Sequence, residues 1–198
     1  MLLDLGAEVH GLDYKQPDLK LHSFNIVDLR DPSSIDHAVS AIGVKIDALF
    51  NCAGLGPTFS PLEIMKVNFI GTRHLTERVI PLLTAGSAIA SIASTAAMGW
   101  SRRIPVHVKL LAKSSYEDAV QWSEENAQEV GEGYSFSKEA IVVWTMVNSQ
   151  KLVRQGIRIN CVLPGLTSTP MLTEQIAVKS IPLGGAAFRC FDWWASFE

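Results

Sequence analysis

The feature that most constrains the fold is an alternation of short apolar runs with longer helix-like stretches. Strands are predicted at Glu8–Leu12, Leu19–Phe24, Ile46–Phe50, Ala88–Ala93 and Ile157–Leu163. Helices are predicted from Asp31-Pro32 to about Ile42, from about Pro61 to Leu83, from Tyr134 to Gly156, and at the N-terminus, where Met1–Gly6 is typical of a helix end. Strands that alternate with helices form βα units, so the chain is predicted to be an α/β protein with a parallel, doubly wound sheet. The run Ile46–Phe50 predicts a strand buried on both faces.

Polar or turn-forming residues follow the predicted strands, at the edge where such sheets bind ligands. They are Asp13, Asp28, Asn51, Ser94 and Pro164. Each has an ordinary structural alternative, because Asn and Asp form turns, Ser caps helices and Pro ends them. Their repetition on successive strands nevertheless predicts one binding site at the carboxyl edge of the sheet.

Tyr134 and Lys138 form the strongest candidate for a chemical role. They are four residues apart, so on a helix they lie on the same face. A neighbouring ammonium stabilises the phenolate form of a tyrosine, which makes the pair a plausible proton-transfer device. The structural alternative is that Tyr134 packs in the core while Lys138 is a solvated surface residue.

Composition excludes several classes of protein. With 198 residues and 47% hydrophobic content, residues 1–198 are predicted to form one domain with a sizeable core. The net charge of −3 argues against nucleic acid as a partner, and no apolar run is long enough to cross a membrane. Three scattered cysteines and five scattered histidines predict neither a disulfide framework nor a metal site, and they favour a reducing, cytoplasmic setting.

These motifs, taken in order, resemble the short-chain dehydrogenase/reductase family over roughly Met1 to Ile176. The family's Asn-Asn-Ala-Gly motif is similar to Asn51-Cys52-Ala53-Gly54, and its YxxxK motif to Tyr134 and Lys138. Its catalytic Asn, its Ser after a strand, and its Pro-Gly with a downstream Thr match Asn68, Ser94, Pro164-Gly165 and Thr169. The resemblance implies a Rossmann-like sheet.

The resemblance also implies a function, the interconversion of an alcohol and a ketone or aldehyde with NAD or NADP. Tyr134 would be the general acid/base, and Lys138 would favour its phenolate and bind the nicotinamide ribose. Ser94 would hold the substrate oxygen, and Asn68 would fix a water in a proton relay. The cofactor-binding residues that the resemblance implies are Asp13, Asp28, Leu29, Asn51, Ala53, Gly54, Tyr134, Lys138, Pro164, Gly165, Thr167 and Thr169.

The choice of cofactor is predicted from Asp13. A carboxylate at the end of the second family strand accepts from the ribose 2′-hydroxyl of NAD and repels the 2′-phosphate of NADP. NAD is therefore favoured, although Lys15 offers a cation that could accommodate a phosphate. Asp28 resembles the acidic residue beside the adenine, and an ordinary turn-forming Asp is an equal alternative.

Both ends of the sequence depart from the family. The opening strand and its glycine-rich turn do not precede Met1, and the last strand does not follow Ile176, where a tail with Phe188, Phe191, Trp193, Trp194 and Phe197 begins to diverge. Because the opening strand is central in the family's sheet, its loss is expected to leave two strands facing a gap. The expectation is a chain truncated at both ends, homo-oligomeric in its full-length form. The alternative function is a non-catalytic family member that acts as a binding partner.

An inserted segment at about 100–133 separates Ser94 from Tyr134, which are forty residues apart. Ser114 and Glu117 predict a capping box, followed by a helical stripe of Tyr116, Ala119, Val120, Ser123, Ala127 and Val130. The segment is predicted to be a set of surface helices folded on the body, or else an oligomer contact or a wall of the substrate entrance. It resembles the bacterial hydroxysteroid dehydrogenase/carbonyl reductase branch of the family, which points to a bulky alcohol or ketone.

Overall fold

Parallel strands and helices alternate through the chain, as the sequence predicts. The computed structural model describes residues 2–167. Its strands are β1 (His10–Asp13), β2 (Ser23–Ile26), β3 (Ile46–Asn51), β4 (Leu83–Ile92) and β5 (Arg158–Val162). Its α-helices are α1 (Pro32–Ser40), α2 (Pro61–Met65), α3 (Thr72–Val79), α4 (Ile104–Leu111), α5 (Tyr116–Glu125), α6 (Ala127–Val130) and α7 (Tyr134–Val153). The expectations for Thr169 and for the C-terminal tail lie outside the described residues.

The strands form two sheets. β1 pairs with β2, and β3, β4 and β5 pair in that order, with every pair parallel. Within residues 2–167 the two sheets are not paired with each other, and β1, β2, β3 and β5 are all edge strands. The expected gap between two particular strands stays a prediction. The predicted fold class, a Rossmann-like parallel α/β architecture, is confirmed.

The prediction that β3 is buried on both faces is wrong. Asp47 and Ala48 are exposed, and the Phe50 side chain is 55% exposed. The reason is that β3 is an edge strand in the described structure, so one side of it lacks the cover that a central strand receives. The second strand also begins later than predicted, at Ser23 rather than Leu19, and Leu83 opens β4 instead of ending a helix.

The predicted long helix from Pro61 is one helical run interrupted by a π-helical turn. Ser60 caps its start with a reciprocal pair of hydrogen bonds to Glu63, and Pro61 occupies the first turn. The π-helical turn Lys66–Gly71 separates α2 from α3 and carries Asn68. Such turns are rare and are found frequently at functional sites.

A glycine sets the start of α7, the helix that carries Tyr134 and Lys138. Gly133 has φ +83°, and a Cβ atom there would lie 2.7 Å from the carbonyl oxygen of Pro61. Only glycine tolerates this backbone conformation and this approach together. The first turn of α7 is thereby held against the start of α2.

The inserted segment folds onto the body and adds Leu110, Tyr116 and Trp122 to the buried core. The predicted cap is one residue out of place, because Ser115 caps α5 by accepting from the Asp118 N–H. The predicted stripe omits Trp122, which is 6% exposed, and includes Ala127, which is exposed. The helical phase changes after Glu125, where non-helical backbone at Asn126 separates α5 from α6, so one stripe cannot describe both helices.

Candidate functional site

Lys138 is buried on the face of α7 that also carries Tyr134. Its side chain donates from Nζ to the Ile92 carbonyl oxygen at 2.8 Å, and Nζ lies 5.8 Å from the centre of the Tyr134 ring. Burial lowers the pKa of Lys138 to about 8, because the charged form is penalised away from water. At neutral pH the side chain is therefore still mostly a cation, and it lies beside the phenol.

Asn68 is fixed between the loop after β3 and the start of α7. Its Oδ1 accepts from the Leu55 N–H at 2.7 Å, and its Nδ2 donates to the Leu55 carbonyl at 3.0 Å. Nδ2 also lies 3.3 Å from Ser137 Oγ, a hydroxyl that donates to the Tyr134 carbonyl oxygen. The side chain is 1% exposed. Because Ser137 directly precedes Lys138, these contacts hold Asn68 next to the helix turn that carries Tyr134 and Lys138.

Gly54 completes this group of residues. A Cβ atom at Gly54 would lie 3.4 Å from Asn68 Oδ1 and 3.6 Å from Lys138 Nζ. The structure therefore brings together Gly54, Asn68, Lys138 and Tyr134, four residues that are far apart in sequence. The missing side chain at Gly54 leaves the space in front of Asn68 and Lys138 open.

Ser94 lies at the end of β4, two residues beyond the carbonyl that Lys138 binds. It is half-buried, and its Oγ accepts from the Ala96 N–H at 3.2 Å, which caps a short 3₁₀ turn. This is the capping role that sequence alone allows for it. The hydroxyl hydrogen is not used in that bond, so Ser94 can still donate to a ligand.

The carboxylates of Asp13 and Asp28 differ in the number of hydrogen bonds that they accept from the protein. Asp13 is exposed at the end of β1 and accepts from the Lys15 backbone N–H at 3.0 Å. Asp28 accepts from the Arg30 backbone N–H at 2.9 Å and from the Arg30 guanidinium at 2.8 to 3.1 Å. The hydrogen bonds from Arg30 lower the pKa of Asp28. Asp28 thus adopts the turn that the sequence alternative describes, whereas Asp13 has one carboxylate oxygen without a protein partner among residues 2–167.

Asn51 has an inward-facing side chain. Nδ2 donates to Thr76 Oγ1 at 2.9 Å and to Ser91 Oγ at 3.0 Å, so the amide joins β3 to α3 and β4. Its Oδ1 is buried and has no hydrogen-bond partner in the described part of the chain. Asn51 therefore fixes the end of β3, and in the loop that follows it Ala53 is exposed and Gly54 is half-buried.

The segment after β5 lies beside the segment after β4. The Pro164 carbonyl accepts from the Thr95 N–H at 3.0 Å, and Thr167 Oγ1 donates to the Gly165 carbonyl at 3.2 Å. Pro164 and Gly165 are exposed, while Leu29, which follows β2, is buried with its carbonyl accepting from Tyr116 Oη at 3.0 Å. Apart from Tyr134 and Lys138 on α7, the predicted cofactor residues that the structure describes thus lie at or after the carboxyl ends of β1, β2, β3 and β5. Their ligand contacts stay a prediction.

Sequence reasoning missed a buried polar cluster next to this group. Glu139, which follows Lys138 directly, is 4% exposed and contacts His107 and Arg103 of the inserted segment. A signal existed, since Glu139 is a charged residue at the start of a strongly apolar helical stretch. Among residues 2–167 no three His, Cys, Asp or Glu side chains are grouped as a metal site, and none of the helices there is long and apolar enough to span a membrane.

Comparison with known proteins identifies relatives. A family model described as short chain dehydrogenase matches residues 122–179. Coniferyl-alcohol dehydrogenase of Pseudomonas sp. (strain HR199 / DSM 7063) is 34% identical over 174 residues, which are 87% of this chain and 68% of that protein. The 3-alpha-hydroxysteroid dehydrogenase/carbonyl reductase of Comamonas testosteroni is 27% identical over 175 residues, 84% of this chain and 66% of that protein.

A solved structure shows the same relationship. The 3-alpha-hydroxysteroid dehydrogenase of Pseudomonas sp. B-0831, complexed with NADH, superposes with a TM-score of 0.72 at 27% identity, covering 89% of this chain and 69% of that one. The chain thus spans about two thirds of the length of these relatives. The resemblance to the hydroxysteroid dehydrogenase/carbonyl reductase branch is confirmed, and the chain belongs to the short-chain dehydrogenase/reductase family of oxidoreductases.

Proposed function

We propose that this protein interconverts an alcohol and a ketone or aldehyde with a nicotinamide cofactor, at the face formed by Tyr134, Lys138, Asn68 and Gly54. The observation that carries the proposal is the burial of Lys138 beside Tyr134. Burying the charge of a lysine that is only 5% exposed costs folding free energy, so such a residue is retained where its charge has a function. The hydrogen bond from Lys138 to the Ile92 carbonyl uses one of the three N–H donors of the ammonium. The other two donors are held at the same place and can bind a ligand.

The residues present are suited to a nicotinamide dinucleotide. The free N–H groups of Lys138 are donors for ribose hydroxyls, and the absent side chain at Gly54 leaves room in front of them. The exposed carboxylate of Asp13 is an acceptor for a second ribose. When bound, the nicotinamide ring supplies the hydride donor or acceptor.

The chain's own residues would move the proton. The Tyr134 hydroxyl would exchange a proton with the substrate oxygen, and the Lys138 cation would favour the phenolate form of Tyr134. Ser94 would donate its hydroxyl hydrogen to the substrate oxygen and so orient it. Asn68, held by Leu55, would fix a water molecule in a relay between Lys138 and solvent.

Asp13 supports NAD rather than NADP as the cofactor. An ionised carboxylate that accepts from a ribose 2′-hydroxyl would repel a 2′-phosphate by like charge. The Lys15 contact to Asp13 is made by the backbone N–H and not by the side-chain ammonium. A structural relative bound to NADH is consistent with this choice.

The substrate class is proposed from the relatives and the insertion. Coniferyl alcohol and hydroxysteroids, named for two relatives, are both bulky ring-containing alcohols. We therefore infer a bulky, ring-containing alcohol or ketone as the substrate. We also infer a cytoplasmic, homo-oligomeric full-length protein.

The test is turnover of the purified chain with NAD and two alcohols, an aromatic allylic alcohol and a ring alcohol of the hydroxysteroid type. Tyr134→Phe removes the proton donor and keeps the ring, so kcat is expected to fall by at least about 100-fold while the Kd for NADH stays within about threefold. The matched control is Tyr14→Phe, which removes a hydroxyl from a side chain that is 60% exposed.

Equal turnover in Tyr134→Phe and the parent chain would overturn the proposed mechanism. A folded chain that binds NADH and turns over neither alcohol would favour the alternative of a non-catalytic binding protein. The observation that favours this alternative is the division into two sheets, which leaves four edge strands within residues 2–167.

A further inference from the structure

A buried polar cluster joins the inserted segment to the helix that carries Tyr134 and Lys138. His107 is 0% exposed, and its Nε2 lies 2.9 Å from Glu139 Oε2. The guanidinium of Arg103 lies 3.4 Å from the same oxygen through Nη1. His107 and Arg103 belong to the inserted segment, whereas Glu139 is on α7.

The charges in this cluster can be assigned. His107 Nδ1 is buried and has no hydrogen-bond partner in the described structure, and burial lowers the pKa of His107. A protonated ring would leave an unpaired N–H donor at Nδ1, so the neutral form with a hydrogen on Nε2 is favoured. His107 then donates to Glu139, and the guanidinium of Arg103, which is 32% exposed and also contacts the carboxylate and carbonyl of Glu129, lies beside the same carboxylate.

Stability alone does not account for such a cluster. Removing the Glu139 carboxylate from water is costly, and well-packed apolar residues in place of a buried ion pair are often as stable or more stable. Such a pair can be retained because it fixes one arrangement of the elements it joins. The question is therefore which elements the cluster holds in place.

The cluster surrounds the catalytic turn of α7. Phe136, which lies between Tyr134 and Lys138 in sequence, is stacked on His107 with ring centres 4.5 Å apart, and the Arg103 guanidinium lies 4.7 Å from its ring centre. On the other side, a Cβ atom at Gly99 would lie 2.9 Å from Glu139 Oε1. Gly99 belongs to the segment that leaves the sheet at Ser94.

We propose that Arg103, His107 and Glu139 form a positioning cluster that fixes the first turn of α7 relative to the segment after Ser94. Through Phe136 on one side and Gly99 on the other, the cluster sets the distance between the Tyr134 hydroxyl and the Ser94 hydroxyl. The inserted segment is then part of the apparatus that aligns the substrate oxygen. This role rests on the proposed function.

The first test separates turnover from binding. Glu139→Ala is expected to lower kcat by about ten- to a hundred-fold, the scale of a small misplacement of catalytic groups, while the Kd for NADH and the KM for NAD change less than about twofold. Glu139→Gln keeps an oxygen acceptor for His107 and is expected to recover most of the loss. The matched control Glu124→Gln alters an exposed carboxylate of α5 and is expected to leave kcat unchanged.

The second test does not depend on activity. The chain has three tyrosines, so ¹³Cζ-tyrosine NMR gives three resonances, and the Tyr134→Phe variant assigns one of them. Glu139→Ala is expected to shift the Tyr134 resonance, whereas Glu124→Gln is expected to leave it in place. If the parent chain shows no turnover and Glu139→Ala still shifts the Tyr134 resonance, the result supports the positioning cluster and rejects the proposed function.

Two results would overturn the positioning role. One is an unchanged kcat together with an unmoved Tyr134 resonance in Glu139→Ala. The other is a parallel loss of kcat, NADH affinity and melting temperature in both Glu139 variants, since that pattern describes a merely structural residue. Should Glu139→Ala fail to fold, the same measurements on His107→Gln decide the matter, with a selective loss of kcat supporting the role and an unchanged kcat rejecting it.

Discussion

The two sheets of this protein carry different parts of the proposed function on very different scaffolds. The helix α7 packs against β5 of the sheet β3–β4–β5, and Lys138 on this helix and Asn68 next to it are 5% and 1% exposed. In β1–β2, no residue is fully buried, and Asp13 is exposed. The residues proposed to transfer the proton are thus set in a packed interior, whereas Asp13, proposed to select the cofactor, lies exposed at the end of a two-stranded sheet.

The difference has an energetic consequence. Packing around Lys138 excludes water, which strengthens the electrostatic effect of its charge on neighbouring groups and raises the free-energy cost of burying that charge. Activity and stability are therefore coupled at this residue. At Asp13 water remains, so a change of charge is expected to alter ligand preference with little effect on folding. Substitutions in the two regions should therefore have different signatures.

The largest effect is expected at Lys138. Lys138→Met keeps the apolar length of the side chain and removes the ammonium, so kcat is expected to fall by about 100-fold or more. The shift of the Lys138 pKa from 10.5 to about 8 corresponds to a burial cost of about 3 kcal/mol. After allowing for the lost hydrogen bond to Ile92, the variant is expected to be more stable than the parent by about 1 to 3 kcal/mol at pH 7. Urea unfolding measures this, and a variant less stable than its parent would contradict the account.

The pH dependence of unfolding sharpens the same comparison. Between pH 8 and 10.5 the unfolded chain keeps its proton on Lys138 while the folded chain loses it, so the stability contribution of this residue rises with pH. Below pH 8 both states are protonated, and the burial cost is constant. The gain from Lys138→Met is therefore expected to shrink as the pH rises through this window. A gain that stays constant would show that Lys138 keeps its proton when folded.

A change at Asp13 is expected to alter selectivity without a change in stability. Asp13→Asn removes the charge that would repel a 2′-phosphate, so the ratio of the Kd values for NADPH and NADH is expected to fall by about tenfold. The free energy of unfolding is expected to change by less than about 0.5 kcal/mol, because the site is exposed. The control is Asp18→Asn, an exposed carboxylate in the loop after β1. Equal preference ratios in the two variants would remove Asp13 from the cofactor site.

The smallest effect is expected at the open edge of β3. Phe50→Thr replaces an aromatic ring that is 55% exposed with another residue of high strand propensity, so the cost is expected to be below about 1 kcal/mol. Ile89→Ala in the neighbouring β4, where the side chain is 1% exposed, is expected to cost about 2 to 5 kcal/mol. Thermal unfolding of both variants compares the edge with the interior. Equal losses would show that β3 is covered in solution.

The order of strands and helices was predictable because each local pattern agrees with the global fold. The π-helical turn that holds Asn68 was not predictable, since its buried residues pack against α5 and α7, which are far away in sequence. The prediction that β3 is buried failed for a related reason. The local composition of Ile46–Phe50 does not show which strand, if any, pairs along each edge of β3.

Within the site, the residue types were predictable and their hydrogen bonds were not. Tyr134 and Lys138 are separated by a fixed helical spacing, which sequence shows directly. Asn51 faces inward to Thr76 and Ser91, and Asp28 is paired with Arg30, because partners from other parts of the chain or turn decide where these side chains point. The cluster at Glu139 depends on contacts with residues 32 and more positions away, which no local pattern encodes.

The most direct test of the central claim is a fluorescence titration of NADH into the purified chain and into Lys138→Met, with circular dichroism to verify that both are folded. The account predicts saturable binding in the micromolar range by the parent chain and clearly weaker binding by Lys138→Met, because the ammonium would hold the nicotinamide ribose. Absence of saturable binding by the folded parent chain, or equal affinity in the two proteins, would contradict the claim that this face holds a nicotinamide cofactor.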